Sequence, residues 1–93
     1  MSRRLPSLNA LRCFEVVATH MGVKKAAQVL NVSESAVSRQ VRILEEQLGV
    51  SLFLRTHGGM EITEEGRRLA LAVTEAFDPI ANAIDPFQNV QDV

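Results

Sequence analysis

Residues 26–39 read Ala26-Ala27-Gln28-Val29-Leu30-Asn31-Val32-Ser33-Glu34-Ser35-Ala36-Val37-Ser38-Arg39, and this stretch decides the fold. The Ala26-Ala27 pair offers side chains small enough for another helix to approach closely. Asn31 tolerates the left-handed backbone that a tight helix exit needs. Val32 is expected to plug the corner, and Ser33 to cap the helix that follows. Working outward, Val23, Ala26, Ala27 and Leu30 form the inner face of a helix over 23–30. Val37, Val41, Leu44 and Leu48 step by 4, 3 and 4 and mark the buried stripe of a helix over 34–48. Gly49 stands where a C-terminal cap belongs. The opposite face of that helix shows Glu34, Ser35, Ser38, Arg39 and Arg42. Two short helices joined by a three-residue turn, the second with an exposed polar and basic face, make a helix-turn-helix.

Upstream, Ser7 caps a helix over 7–20 whose apolar residues Leu8, Leu11, Phe14, Ala18 and Met21 share one face. Ala10 and Val17 flank that face, while Asn9, Arg12, Glu15 and Thr19 point away. The lone cysteine, Cys13, lies beside the stripe and reads as packed rather than reactive. Downstream, Ser51–Arg55 reads as a strand, Thr56-His57-Gly58-Gly59 as a turn whose glycines supply positive φ, and Met60-Glu61-Ile62 as the return strand. Thr63 then caps a long helix with Glu64 and Glu65 in its first turn, where negative charge suits the helix dipole. Along it Leu69, Val73, Ala76, Ile80 and Ile84 form a seam like that of a coiled coil. Pro79 interrupts the seam. It predicts either a kink in one helix or, with Asp78 as cap, the start of a second short helix. Asp85-Pro86 is expected to end the helix, with 88–93 as a tail. The fold expected is mostly α: a winged helix-turn-helix of three helices and a two-stranded wing over 1–62, then a linker and dimerisation helix over 63–87.

Composition narrows the function. With 93 residues, 46% of them hydrophobic and 23% charged, the chain has room for one ordinary globular core and not for a deep cleft between domains. One cysteine excludes a disulfide framework and a cysteine-rich zinc site, and His20 and His57 lie far apart without a neighbouring thiol, so no metal or cofactor is expected. No Ser/His/Asp spacing, glycine-rich phosphate loop or paired carboxylate setting suggests catalysis. The longest apolar run, Leu69–Val73, is too short to span a membrane, and no apolar segment follows Arg3 and Arg4 as a signal peptide requires. A cytoplasmic location is expected. Net charge is −1, but it is unevenly spread: residues 1–57 hold eight Lys/Arg against four acids, and residues 58–93 hold two against seven. A positive front and a negative back can orient a polyanion toward one face.

The chain resembles the N-terminal DNA-binding region of the LysR-type transcriptional regulators. The resemblance rests on Leu8–Arg12 with Phe14; Lys25-Ala26-Ala27; Leu30–Ser33; Ser35–Val41; Leu44-Glu45; Leu48-Gly49-Val50; Leu52-Phe53 with Arg55; and Met60 followed by Ile62-Thr63 and Gly66. It covers about residues 5–87. It implies a homodimer that recognises an interrupted dyad in double-stranded DNA, with the 34–48 helix in a major groove and the wing near the adjacent minor groove. Glu34, Ser35, Ser38 and Arg39 are then expected to contact bases, Arg39 by bidentate bonds to guanine. Arg42, Ser33, Arg55 and His57 are expected at the DNA backbone. Lys24 and Lys25 join them or form a plain surface pair; Arg3 and Arg4 are expected either to reach toward DNA or to stay disordered. The seam Leu69, Val73, Ala76, Ile80 and Ile84 is expected to pair the two subunits, the alternative being that this helix folds back on its own subunit.

The resemblance also implies a larger effector-binding domain beyond this region, so the chain reads as part of a longer protein, with an effector ligand only where that domain is present. Three positions depart from the family pattern. Gly22 replaces a common Ser cap, Glu34 replaces a common Gln, and Pro79 sits within the linker helix. Two rival readings are a winged-helix module that binds protein through the same face, and an architectural DNA binder without sequence preference.

Overall fold

The computed structural model describes residues 4–91, with side chains to Gln88; Arg3 falls outside them. The order is α1 (Leu8–His20), α2 (Val23–Leu30), α3 (Glu34–Leu48), β1 (Phe53–Thr56), β2 (Gly59–Ile62) and α4 (Glu64–Gln91). This is a winged helix-turn-helix followed by one long helix. The local signals account for the boundaries. Ser7 Oγ accepts from Ala10 N at 3.3 Å and starts α1. Asn31 takes φ 58° and its N–H closes on the last turn of α2. Ser33 Oγ accepts from Ala36 N at 3.1 Å and starts α3, and Gly49 at φ 71° ends it with a 2.8 Å bond to the Glu45 carbonyl. Thr63 Oγ1 accepts from Gly66 N at 3.0 Å at the head of α4.

The core has two lobes that meet along α1. Ala10, Leu11, Phe14, Leu44, Leu52 and Val73 form one; Val17, Ala26, Ala27, Val37 and Val41 form the other. Phe14 is fully buried and packs its ring 5.5 Å from that of Phe53. Because α1 contacts α2, α3 and α4, its buried face is wider than a single stripe and is centred on Ala10, Cys13, Phe14 and Val17. Leu8 and Met21, expected inside, are exposed at the two ends of α1, and Met21 has left the helix in a left-handed cap. Glu15, expected to face away, is half-buried and accepts from Thr74 Oγ1 of α4 at 2.9 Å. Burial pushes the Cys13 thiol pKa up, against a smaller opposing pull from Arg12.

Other expectations are corrected by the same logic of neighbours. Val32 does not plug the corner: it is about half exposed, and the turn is closed by its backbone N–H to the Ala27 carbonyl at 3.1 Å. Leu48, expected in the buried stripe, is exposed as the last residue of α3. The strand begins at Phe53, not Ser51, and only Gly59 of the glycine pair takes positive φ. The register pairs Phe53 with Ile62 and Arg55 with Met60, so Met60 and Ile62 turn inward while Glu61 faces out.

The last helix neither stops at Asp85-Pro86 nor restarts at Pro79; α4 runs through both prolines to Gln91. The carbonyls that lose their partners, those of Glu75 and Asn82, belong to exposed residues, so water can satisfy them. Among the described residues no helix is long and apolar enough to cross a membrane, and no three His, Cys, Asp or Glu side chains gather as a metal site would require.

Candidate nucleic-acid interface

The turn at Asn31 and the Ser33 cap lift the first turn of α3 clear of the core. Glu34, Ser35, Arg39 and Arg42 are exposed, while Ser38 is half-buried. Ser33 and Ser35 hydroxyls lie 3.2 Å apart, so the N-terminal turn is preorganised by its own side chains. The exposed surface of α3 divides into two flanks. On one, Glu34 and Ser38 join Lys24 of α2 and Arg55 of the wing around a groove of about 340 Å³. Deeper in the same crevice, Ser38, Arg42 and Glu45 of α3 face Phe53, Arg55 and Met60 of the wing. On the other flank, Ser33, Ser35 and Arg39 share a shallow surface with Gln40 and Ile43. The four residues expected to act together at bases are thus split, because adjacent residues on a helix lie about 100° apart.

The register explains why Arg55 belongs to the crevice. Phe53 packs on the core, and side chains two apart on a strand share a face, so Arg55 leans toward α3 beside its partner Met60. His57 occupies the exposed turn at the wing tip. Lys25 is exposed on α2 but does not line either groove. Arg4 is exposed and lies beside Leu5, Pro6, Gln47 and Leu48, against the far end of α3. Around the first half of α3 the exposed charges are mostly positive: Lys24 and Arg55 share the groove of Glu34, and Arg39 and Arg42 stand elsewhere on the helix. Glu34 itself has no ion pair or hydrogen bond among the described residues.

Two features escaped the sequence reading. Gln40 lies beside Arg39 on the second flank, and its polarity at one step from Arg39 is a signal that could have found it. Glu45 is the other: its Oε2 accepts from Leu52 N at 2.7 Å and Phe53 N at 3.3 Å. Its neighbour Glu46 is exposed.

The seam residues of α4 separate into two groups. Val73 is buried in the chain's own core and Leu69 packs against it, so these two serve the local fold. Ala76, Ile80 and Ile84 are exposed. Ile80 and Ile84, with Phe77, Ala81, Leu8, Asn9, Arg12 and Gln88, line an open groove of about 600 Å³ between α1 and α4.

A family model described as "Bacterial regulatory helix-turn-helix protein, lysR family" matches residues 8–67. The chain is 48% identical over 87 residues to the carbapenem-hydrolyzing beta-lactamase transcriptional activator of Enterobacter cloacae, covering 94% of this chain and 29% of that protein. It is 51% identical over 78 residues to the HTH-type transcriptional regulator TrpI of Pseudomonas aeruginosa, covering 84% of this chain and 26% of that one. It thus spans less than a third of the length of these curated relatives. Its fold matches the protein in the crystal structure of the BenM_DBD/catB site 1 DNA complex with a TM-score of 0.80 and 25% identity, over 95% of this chain and 99% of that chain.

Proposed function

The chain belongs to the lysR family of bacterial regulatory helix-turn-helix proteins, and from that premise we propose that it binds double-stranded DNA, sequence-specifically, as the DNA-binding part of a homodimeric transcription regulator. The observation that carries the reading is the exposed, polar first half of α3, flanked by Lys24 and by the wing's Arg55. Helices of this kind enter the major groove by their N-terminal residues. Residues 1–62 then form the DNA-binding unit, 63–87 the linker helix, and 88–93 lead toward an effector-binding domain. The setting is the bacterial cytoplasm, and the function is regulation rather than catalysis. A duplex like that in the BenM_DBD complex is the model partner.

In this reading Arg39, Ser35, Ser38 and Glu34 meet base edges. Arg42, Ser33, Arg55, Lys24, Lys25 and His57 meet phosphates. Glu34 repels phosphate but accepts from a cytosine amino group, so it favours a base contact over a backbone contact. The groove left by Leu8, Phe77, Ile80 and Ile84 is the seam for a second copy, extended along α4 by the exposed Ala76. Leu69 and Val73 support that seam from the chain's own core.

Selection of duplexes from a random pool by the purified chain tests the reading directly. Enrichment of an interrupted dyad supports it. Equal binding of all duplexes indicates an architectural binder, and no salt-dependent duplex binding indicates a protein-binding module. On the selected site, Arg39→Ala is expected to cost about 1–3 kcal/mol and to relax discrimination at one base pair, measured by titration of single-base variants. Equal losses on selected and shuffled duplexes would remove Arg39 from the base-reading set. Arg55→Ala is expected to weaken all duplexes alike and to make the slope of log K against log salt shallower by about 1, since it neutralises a phosphate. An unchanged slope with lost specificity would make Arg55 a base reader.

A further inference from the structure

We propose that Glu45 is a positioning residue for DNA binding: from the recognition helix, its carboxylate fixes the root of the wing and so aims Arg55. The inference rests on the DNA-binding reading above. The root, residues 51–53, is tied on both sides. Its amides point to α3, where one oxygen of Glu45 takes both Leu52 N and Phe53 N, at 2.7 and 3.3 Å. Its carbonyls point to the head of α4. Thr63 N donates to Leu52 O at 3.0 Å, and the Thr63 hydroxyl lies 2.7 Å from Ser51 O and 3.2 Å from Leu52 O. Between them the Leu52 side chain is fully buried. Gly66 permits this closeness: a Cβ there would overlap the Leu52 carbonyl oxygen and come within 2.8 Å of Ile62 Cγ1.

Three elements therefore meet at one short segment: the helix that carries Ser38, Arg39 and Arg42, the strand that carries Arg55, and the helix that carries the proposed dimer seam. Arg55 stands two residues beyond Phe53, about 7 Å along the strand, on the same face. A shift at the root is passed to it almost unchanged. Glu45, Ser38 and Arg42 line one wall of the crevice whose other wall includes Phe53 and Arg55. The 2.7 Å bond from Leu52 N to the Glu45 carboxylate is short, as charge-assisted bonds are, and the 3.3 Å bond from Phe53 N is a longer second tie. A carboxylate beside a DNA-binding face also opposes phosphate, so simple electrostatics says that its removal tightens DNA binding. Positioning says the opposite, which separates the two roles by sign.

The experiment is a double-mutant cycle between Glu45→Gln and Arg55→Ala, titrated on selected and shuffled duplexes over roughly 50–200 mM salt. Glu45→Gln is expected to keep a cooperative thermal transition and to weaken the selected duplex about three- to tenfold, the scale of one weakened charge-assisted bond. It should also make the salt slope shallower by about 1, as Arg55→Ala does. The double variant should bind no more weakly than Arg55→Ala alone. Additive losses, an unchanged slope or tighter binding overturn the proposal. Should Glu45→Gln not fold, Glu45→Asp, one methylene short with the charge kept, carries the same cycle to the same two outcomes. Absence of salt-dependent duplex binding by the unaltered chain overturns the DNA-binding reading itself, and is read before any variant is made.

Discussion

Ile80→Asp is expected to yield a folded monomer whose affinity for a full dyad falls by two or more orders of magnitude while its affinity for a half-site is nearly unchanged. In the single chain Ile80 is 54% exposed, so an aspartate there costs the monomer little. In a two-fold seam of α4 against α4 each contact occurs twice, so the seam takes in Ile80 of both copies. Two carboxylates would then be buried in a mostly apolar seam with Ile84 and Phe77, and Arg12, which lines the same groove, would offset only part of that cost. Losing the dimer converts the second half-site from an intramolecular to a bimolecular encounter, a factor of about 100–10,000. Sedimentation of the variant beside the unaltered chain, followed by titration of dyad and half-site duplexes, is the measurement. If the unaltered chain is already monomeric at high micromolar concentration, the Ile80 groove is not a dimer seam and the two-site mode of binding fails with it.

Phe14→Ala is expected to destabilise the chain by about 3–5 kcal/mol, the usual cost of emptying a fully buried aromatic site. That is a large share of the roughly 5–15 kcal/mol a domain of this kind holds in reserve. Phe14 has no solvent exposure and lies where α1, α3, the wing root and α4 come together, against Leu11, Leu44, Leu52 and Val73. Its ring also contacts Phe53, the first residue of β1, tilted by 46°. The cavity would loosen the same junction that orients the wing, so DNA affinity should fall even where the variant remains mostly folded. Urea unfolding followed by circular dichroism gives the first quantity, and titration at a temperature well below the transition gives the second. A loss under 1 kcal/mol would mean that the junction can collapse to refill the space, and that Phe14 is not its keystone.

Much of this was legible in the chain because the signals were short-ranged. Ser7, Asn31, Ser33, Gly49 and Thr63 each end or begin a helix through bonds to groups three or four residues away, so the residue type and its immediate sequence suffice to place them. The polar first half of α3 was equally visible, since Val37, Val41 and Leu44 point to the core and leave the opposite face to Glu34, Ser35 and Arg39. Stripe periodicity located the helices, but it did not say which stripe residues would find neighbours.

Where the outcome depended on elements distant in the chain, periodicity was silent. Leu8 and Ile80 satisfy the same apolar patterns as Leu11 and Val73, yet the first pair is exposed and the second buried, because α1 and α4 cross over only part of their lengths. Glu15 meets Thr74 across 59 positions, and Glu45 meets the Leu52 amide only after the chain has turned through Gly49 and Ser51. Neither pairing has a local signature. The helical path through Pro79 and Pro86 was decided the same way: proline removes a hydrogen bond in any context, and whether the helix survives depends on water reaching the freed carbonyls. The sequence by itself therefore determined most of the elements, their caps and the polar face of α3 proposed to meet DNA, all properties of bonds closed within a turn or two. Tertiary structure alone decided how α3, the wing and α4 are tied at residues 51–53 and which apolar residues remain for a second copy, since burial and long-range hydrogen bonds exist only once the chain has brought its distant parts together.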